Sequence, residues 1–492
     1  MKRELIDGVP VLWVETPGPL EATLVFGCGV RDETFRTLGV THLIEHLAMS
    51  TLPRLHFDHN ASVDLALTQF TCTGRPEQVT DFLERVCRAL TVLPLERIEK
   101  EAGVLEAEGS GVADPTTAEL LSIRYGTEGV GLASFGGPGP DRIPVEAVQD
   151  TVARYFHAQN AALVLTGPPP AGLRLPLPSG ERPARATEQT VRQTGPSWQQ
   201  AQVPGPGLSL SCDLNDQAVF VAVQLLRQRL TETVRHREGL TYDVGGDAVF
   251  VAPGRGERTI CMEAREGQEQ RVCELLWQEA LRLATEEVPQ AELAEEVEAS
   301  REVLLDPRAV EYELVEAAAE HLLADAPMGN RARLDVIEEL TPARVREAFA
   351  TALGSALLVV PCEVEVRAHW ADGTELRQYS CGEGGELPSK GQEFRPPLTA
   401  RLRYSGARKV RLMVTGDGLW MRQPDGSVHA IAFTDVVGVE MQGPGRVVYG
   451  TGNCFLPVLP DLFAGIGPAV AAIDAAVPAE LRYPASAFRS AD

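Results

Sequence analysis

Two histidines and one glutamate lie close together in a short segment with the spacing of a metal site. Residues 39–47 read Gly-Val-Thr-His-Leu-Ile-Glu-His-Leu and include His42, Glu45 and His46. In a helix, residues four apart stand one above the other on the same face, so both imidazoles could bind one Zn²⁺. Glu45 would lie beside the metal, where a carboxylate can deprotonate a metal-activated water. The segment therefore predicts metal-assisted hydrolysis.

A second polar pair lies much later in the chain, where residues 234–242 read Val-Arg-His-Arg-Glu-Gly-Leu-Thr-Tyr. Residue types alone leave two interpretations open. Arg235 could be an arginine at a helix C-terminus, where cations are favoured, and Tyr242 a half-buried tyrosine in a strand. Alternatively, both side chains could contact a substrate.

The residues that flank H-x-x-E-H resemble those of the pitrilysin, insulinase and mitochondrial processing peptidase family. Residues 27–33 read Gly-Cys-Gly-Val-Arg-Asp-Glu, a glycine-flanked strand end followed by an Arg-x-Glu-like turn. Residues 39–46 then supply Gly-x-x-His-x-x-Glu-His, which is the order of the inverzincins. The resemblance covers about residues 5–370. It implies a zinc peptidase built from two duplicated insulinase-type α+β domains.

The resemblance also implies a third zinc ligand, a glutamate on a later helix with another glutamate seven residues before it. Seven residues make two helical turns, so both carboxylates share a face. Two pairs have this spacing, Glu99 with Glu106 and Glu101 with Glu108. The family has aliphatic residues three and four positions after the first glutamate, which favours the second pair. Glu108 is thus the expected third ligand of one Zn²⁺ per chain, and Glu101 would orient a histidine behind it.

The family pattern gives the second polar pair a role as well. In members of the family, an arginine and a tyrosine seven residues apart contact the substrate carbonyls and the tetrahedral oxyanion. Carried over, Arg235 would hold the peptide and Tyr242 would donate a hydrogen bond to the developing oxyanion.

Between His46 and Glu108 this chain has fewer residues than members of the family usually have. The shortening falls in residues 50–62, where relatives have a helix. His56 and His59 lie there and are expected to be loop residues and not ligands, because the ligand set is already complete. The loss could open one wall of the substrate chamber.

Pro- and Gly-rich stretches divide the chain into three blocks. The predicted boundaries are a zinc-binding domain at 1–170, a linker at 171–204, a second homologous domain with the Arg/Tyr pair at 205–370, a linker at 371–397 and a β-rich module at 398–485.

The first two blocks end alike, each with a proline-opened helix pattern followed by an apolar strand, repeated after about 194 residues. This repeat predicts a duplicated α+β domain. Near the N-terminus, residues 11–15 and 20–27 are expected to form neighbouring strands. The third block shows five short β-rich runs and one helical stretch at 462–477, a pattern that resembles the pleckstrin-homology-like barrel.

The composition excludes several classes of function. A net charge of −24 argues against nucleic-acid binding and against electrostatic docking on an anionic membrane. No apolar run is long enough to predict a membrane span. Nine scattered cysteines without a C-x-x-C pair are typical of reduced thiols, and residues 1–14 lack the apolar centre of a signal peptide. A cytoplasmic protein is expected.

Together these features predict a zinc-dependent endopeptidase that cleaves extended or unfolded peptides, which can add a strand to a sheet edge. The alternative is a non-catalytic scaffold or adaptor subunit of the same fold that binds a protein partner. Because one chain carries both the zinc ligands and the Arg/Tyr pair, a homodimer with two sites is expected, or association with a related partner subunit.

Overall fold

The computed structural model describes residues 1–485 apart from 109–110, 112, 185–188, 324–327, 363, 366–367, 380–384 and 404–405. Within these ranges the chain forms four β-sheets with helices packed against them. The predicted α+β class is confirmed. No helix in this part of the chain is both long enough and apolar enough to cross a membrane.

The first sheet is formed by the N-terminal part of the chain, which we call the first half. Its strands are β1 (Lys2–Ile6), β2 (Val9–Trp13), β3 (Leu20–Phe26), β4 (Asp58–Val63), β5 (Thr68–Gly74) and β6 (Ala161–Leu165). They lie in the order β1-β2-β6-β3-β5-β4. The helices of the first half are α1 (Val40–Met49), α2 (Pro76–Thr91), α3 (Ile98–Glu108), α4 (Pro115–Tyr125) and α5 (Val145–Tyr155).

Strand β6 separates two strands that the sequence predicts to be neighbours. It runs parallel to β2, with Val11 opposite Leu163, and antiparallel to β3, with Leu24 opposite Leu163. All five residues of β6 are buried, and an apolar run buried on both faces belongs in the interior of a sheet. The predicted pairing of residues 11–15 with 20–27 is therefore wrong, because alternation identifies strands without identifying their partners.

The second sheet repeats this arrangement in what we call the second half. Its strands are β7 (Ser197–Ala201), β8 (Gly207–Cys212), β9 (Val244–Gly245), β10 (Ala248–Ala252), β11 (Arg255–Met262) and β12 (Leu357–Pro361). They lie in the order β10-β11-β8-β12-β7, with β9 paired to β11. The helices are α6 (Gln217–Leu230), α7 (Glu269–Thr285), α8 (Gln290–Leu304), α9 (Val310–Leu323), α10 (Asn330–Glu338) and α11 (Pro342–Leu353). Strand β12 lies between β7 and β8 as β6 lies between β2 and β3.

Strand β7 falls inside the predicted linker at 171–204. It runs parallel to β12, with Trp198 opposite Leu358. The linker prediction is wrong for these five residues, because the Pro- and Gly-rich composition on either side of them hides a short strand.

The third block consists of two four-stranded sheets and two helices. Its strands are β13 (Gln392–Phe394), β14 (Arg411–Val414), β15 (Gly418–Arg422), β16 (Val428–Ala432), β17 (Val436–Gln442), β18 (Gly445–Gly450), β19 (Phe455–Val458) and β20 (Arg482–Pro484), and its helices are α12 (Leu398–Arg403) and α13 (Gly467–Ala476). The sheets have the orders β13-β14-β15-β16 and β19-β18-β17-β20.

The five predicted β-rich runs of the third block correspond to β14–β18. Strand β13 lies within the predicted linker at 371–397, so that prediction is wrong for residues 392–394. Residues 380–384 of the same linker lie outside the described residues. Phe463 and Ile473 close the block's core on Leu412, Leu419 and Val448.

The two halves exchange one helix each. Helix α9 of the second half packs on the first sheet, where Leu314 and Leu322 share a buried cluster with Val164. Helix α4 of the first half packs on the second sheet, where Leu120 shares a buried cluster with Val359. Both helices occupy the same place in the repeat, so the exchange is reciprocal and neither half buries its sheet alone.

A buried ion pair fixes α4 on the second sheet. The Nε atom of Arg124 lies 3.2 Å from an oxygen of Glu257, and both side chains are almost fully buried. The same carboxylate accepts hydrogen bonds from the Tyr125 hydroxyl at 2.6 Å and from Ser209 Oγ at 2.5 Å. Gln193 accepts a further hydrogen bond from the guanidinium at 2.7 Å. Each charged group is thus compensated within the interior, as buried charges require.

Replacing Arg124 by Met should lower the free energy of unfolding by about 3–5 kcal/mol, because the Glu257 carboxylate would stay buried without its cation. Chemical denaturation measures the change. The matched control is Arg85→Met, since Arg85 pairs with Asp81 at 2.7 Å on an exposed helix face, where ion pairs contribute little. Equal stability of the two variants would contradict the role of this ion pair.

Candidate metal centre

Helix α1 holds both histidines beside its apolar face. Leu43, Ile44 and Leu47 are fully buried in the core of the first half. This burial turns His42 and His46 away from the sheet, with 31% and 15% of their side-chain areas exposed. The ring centroids lie 4.9 Å apart. The four-residue spacing therefore places both imidazoles at one accessible position.

Helix α3 brings two carboxylates to the imidazoles. One oxygen of Glu108 lies 3.3 Å from His46 Nε2 and 4.0 Å from His42 Nε2. One oxygen of Glu101 lies 4.0 Å from His46 Nδ1, and the Glu101 side chain is only 8% exposed. The two glutamates lie two helical turns apart, so each can face a different nitrogen of His46.

The other candidate ligands lie elsewhere. Glu99 and Glu106 are exposed on the outer face of α3. His59 lies in the exposed edge strand β4 and not in a loop, and its Nδ1 is 2.9 Å from the Phe57 carbonyl oxygen. His56 precedes that strand in a turn. The expectation that His59 lies in a loop is therefore wrong, because β4 begins at Asp58.

The three converging side chains fit a tetrahedral zinc site. One nitrogen from each imidazole and one oxygen of Glu108 all lie within 4.8 Å of one another. Ligand atoms about 2.0–2.2 Å from Zn²⁺ lie roughly 3.4 Å apart in a tetrahedron. Glu108 is half exposed and can rotate to close the remaining gap. Two imidazoles and a carboxylate are also the donors of hydrolytic zinc sites that leave a fourth position for water.

Glu45 lies against this group without being part of the ligand set. One of its oxygens is 3.5 Å from His42 Nε2 and 3.7 Å from His46 Nε2. Burial, and to a lesser degree the negative charge of Glu108, raises the pKa of Glu45 to about 7. Burial and the neighbouring His46 lower the pKa of His42, which favours the neutral imidazole that binds metals.

Two further residues position α1, and sequence analysis assigned neither of them. The buried carboxylate of Glu33 accepts hydrogen bonds from the backbone N–H groups of Gly39 at 2.7 Å and Thr41 at 2.9 Å, at the helix N-terminus. At the other end, Arg97 donates a hydrogen bond to the Ser50 carbonyl. The lack of a Ser, Thr, Asp or Asn cap before α1 was the available signal that a more distant carboxylate caps it.

Arg235 and Tyr242 lie together, but in the second half. Arg235 belongs to a π-helical turn, Thr231–Arg237, that continues α6. Its guanidinium carbon lies 5.5 Å from the centroid of the Tyr242 ring, and Tyr242 is 83% exposed. The alternative of a half-buried strand tyrosine is therefore wrong. Among the described residues, no hydrogen bond, ion pair or ring contact joins this pair to the ligands on α1 and α3.

The second half contains the same two helices without the ligands. Helices α6 and α8 hold the places of α1 and α3 in the repeat. Gln228 of α6 donates a hydrogen bond to Glu296 of α8, as His46 of α1 lies beside Glu101 of α3. Gln224, Arg227 and Gln228 therefore correspond in spacing to His42, Glu45 and His46. Glu296 takes the place of the buried glutamate of α3, and Val303 replaces the ligand. All five line one cavity of about 700 Å³.

The comparisons with known proteins agree with this architecture. Residues 142–300 match the family model described as the peptidase M16 inactive domain. No curated protein matches the sequence. A protease from Helicobacter pylori has a similar structure, with a TM-score of 0.58 and 13% identity, over 73% of this chain and 99% of that one.

Two further solved structures have similar folds. A peptidase M16 inactive domain from Pseudomonas fluorescens has a TM-score of 0.56 and 18% identity, over 77% of this chain and 98% of that one. A ferredoxin protease in complex with Arabidopsis ferredoxin has a TM-score of 0.54 and 14% identity, over 88% of this chain and 56% of that one.

The matched segment contains α6 and most of α8 but excludes His42, His46 and Glu108. The positions that correspond to these three residues in the second half hold two glutamines and a valine. The fold and the match over residues 142–300 are thus similar to those of the M16, insulinase-like peptidases and their inactive homologues, which confirms the resemblance found in the sequence.

Proposed function

We propose that the chain is a zinc-dependent endopeptidase that hydrolyses extended or unfolded peptides. The observation that supports this most directly is the convergence of His42, His46 and Glu108, with Glu45 next to them. Zinc-dependent hydrolysis also needs a proton acceptor beside the metal ligands, and Glu45 supplies one. The dispersed cysteines continue to favour a cytoplasmic location.

Each side chain has a distinct role in this proposal. When bound, Zn²⁺ supplies Lewis-acid polarisation of a water molecule and of the scissile carbonyl. Glu45 accepts the proton of the attacking water and then donates it to the leaving amine. Glu101 orients the His46 ring from its Nδ1 side, which fixes the nitrogen that faces the metal.

The sheet edge beside α1 suits an extended substrate. Strand β4 is the edge strand of the first sheet, contacts α1, and is largely exposed along its length. An unfolded peptide can pair with such an edge through its backbone, which gives affinity with little sequence selectivity.

Tyr242 would stabilise the oxyanion and Arg235 would hold the peptide, but the two lie on the second half, exposed to solvent. Their exposure favours an arrangement in which this pair completes the site of another chain. A two-fold homodimer would then contain two equivalent sites, and a related partner subunit is the alternative.

The second candidate function is a non-catalytic scaffold or adaptor that binds a protein partner. The match to an inactive domain favours it. The two functions differ in a simple observable, because a scaffold needs neither bound zinc nor Glu45. Incubating the zinc-loaded protein with a peptide library and sequencing the products distinguishes them, and it also defines the cleavage specificity.

Purified protein supplied with zinc should contain one Zn²⁺ per chain, and His46→Ala should lose it, because two remaining ligands bind weakly. Elemental analysis by mass spectrometry measures the metal. His59→Ala is the matched control and should keep its zinc, since His59 lies in the edge strand. Wild-type protein without metal would refute the peptidase proposal.

Glu45→Gln should keep its zinc and lose about 10²–10⁴-fold in the rate of peptide cleavage, because the amide cannot accept the proton. Glu108→Ala should instead weaken zinc binding. Glu106→Ala on the same helix is the matched control and should leave both quantities unchanged, since Glu106 is exposed away from the ligands. Zinc loss in Glu106→Ala and not in Glu108→Ala would show that Glu106 is the ligand.

Mixing two inactive variants tests where the Arg/Tyr pair acts. Glu45→Gln protein and Tyr242→Phe protein should each be inactive, and subunit exchange between them should restore part of the peptide cleavage if sites form between chains. Native mass spectrometry follows the exchange. Mixed dimers without recovered cleavage would mean that each chain closes its own site or requires a different subunit.

A further inference from the structure

The third block packs directly on the segment that leads into α1. Phe35, in this segment, is 4% exposed. Its ring centroid lies 5.1 Å from that of Tyr449 in β18 and 5.8 Å from that of Phe135. Val437 and Tyr483 extend the apolar contact around the Phe35 ring. A buried aromatic residue of the first half is thus covered by strands of the third block.

Strand β17 lies close against this ring. A Cβ atom added at Gly438 would be 2.5 Å from Cε1 and 3.0 Å from Cδ1 of Phe35. Real Cβ contacts are longer than this, so only glycine allows the observed approach. Because Gly438 has no side chain, strand β17 of the third block can pack directly against the Phe35 ring.

A second attachment lies beside the first. The backbone N–H of Thr127 donates to the Thr451 carbonyl at 3.0 Å, and its hydroxyl donates to the Gly450 carbonyl at 3.1 Å. Thr127 is 3% exposed, and it follows α4, the helix that crosses to the second sheet. Packing and buried hydrogen bonds therefore fix the third block at two points.

The same segment also holds the metal helix. Residues 30–38 carry Phe35 on the side of the third block and Glu33 on the side of α1, where the Glu33 carboxylate binds the backbone N–H groups of Gly39 and Thr41. Val30 and Leu38 of the segment are buried with Leu132. The segment is thus a short, packed connection between β17–β18 and the first turn of α1.

We infer that the third block positions α1, and hence the two histidines, because Tyr449 and Gly438 hold Phe35 and with it residues 30–38 in place. We call this contact the clamp. This inference rests on the proposed zinc site for its purpose, but the clamp itself is a property of the packing. Phe35, Tyr449 and Gly438 are positioning residues, and none of them contacts the ligands. Outer contacts that orient metal ligands commonly change metal affinity by about 10–100-fold when they are lost.

Gly438→Ala tests the clamp by adding one methyl group against the Phe35 ring. The matched control is Gly416→Ala in the same block, where an added Cβ meets nothing within 4 Å. Tyr449→Ala removes the covering ring, and Tyr449→Phe keeps it. Zinc affinity is measured on the full chain by competition with a chromophoric chelator. Hydrogen exchange of residues 30–49 reports on α1 without metal, and exchange of β14–β16 shows that the third block stays folded.

Gly438→Ala and Tyr449→Ala should bind zinc about tenfold more weakly and exchange faster across 30–49, while Gly416→Ala and Tyr449→Phe match the wild type. Unchanged zinc affinity and unchanged exchange in both Gly438→Ala and Tyr449→Ala would overturn the inference, as would loosened exchange with unchanged affinity. Wild-type protein that binds no zinc would instead refute the proposed zinc site, and the exchange measurement would still decide whether the clamp exists.

Discussion

The reciprocal exchange of α4 and α9 is the constraint on which the remaining structure depends. Each large sheet has a second apolar face, carrying Val164 in one half and Val359 in the other, against which a helix from the opposite half packs. Exposed apolar area costs about 25 cal/mol per Å², so neither sheet is stable with that face open. Glu108, the proposed third ligand, ends α3 shortly before Pro115, where the anchored α4 begins.

The local geometry of the candidate site was predictable from the sequence, because it depends on helical periodicity within two short segments. His42 and His46 share a face because they are four residues apart, and Glu101 and Glu108 because they are seven apart. The family pattern was needed to prefer this glutamate pair to Glu99 and Glu106, and the structure places the preferred pair at the histidines. Strands β14–β18 of the third block were predictable for the same local reason, whereas β13, β19 and β20 were not predicted.

Long-range pairing was not predictable, because a hydrophobic pattern reports burial and not the identity of the covering element. The apolar run of β6 does not indicate that it inserts between β2 and β3, and the face of α4 that carries Leu120 does not indicate a sheet in the other half. Strand β7 escaped detection because Pro-rich sequence surrounds it. Glu33 escaped as a helix cap because it lies six residues before Gly39, beyond the range of the usual capping patterns.

One buried carboxylate recurs in both halves, between the two corresponding helices. Glu101 faces a ring nitrogen of His46, whereas Glu296 accepts hydrogen bonds from the Gln228 amide and from Ser300 Oγ. A buried carboxylate between the two helices needs a polar partner, and either imidazole or amide supplies it. The helix pair is therefore satisfied without zinc in the second half. In the first half the other ring nitrogen of His46 faces Glu108 and Glu45. The proposed zinc site would thus add chemistry to a helix pair that carries the same buried carboxylate in both halves.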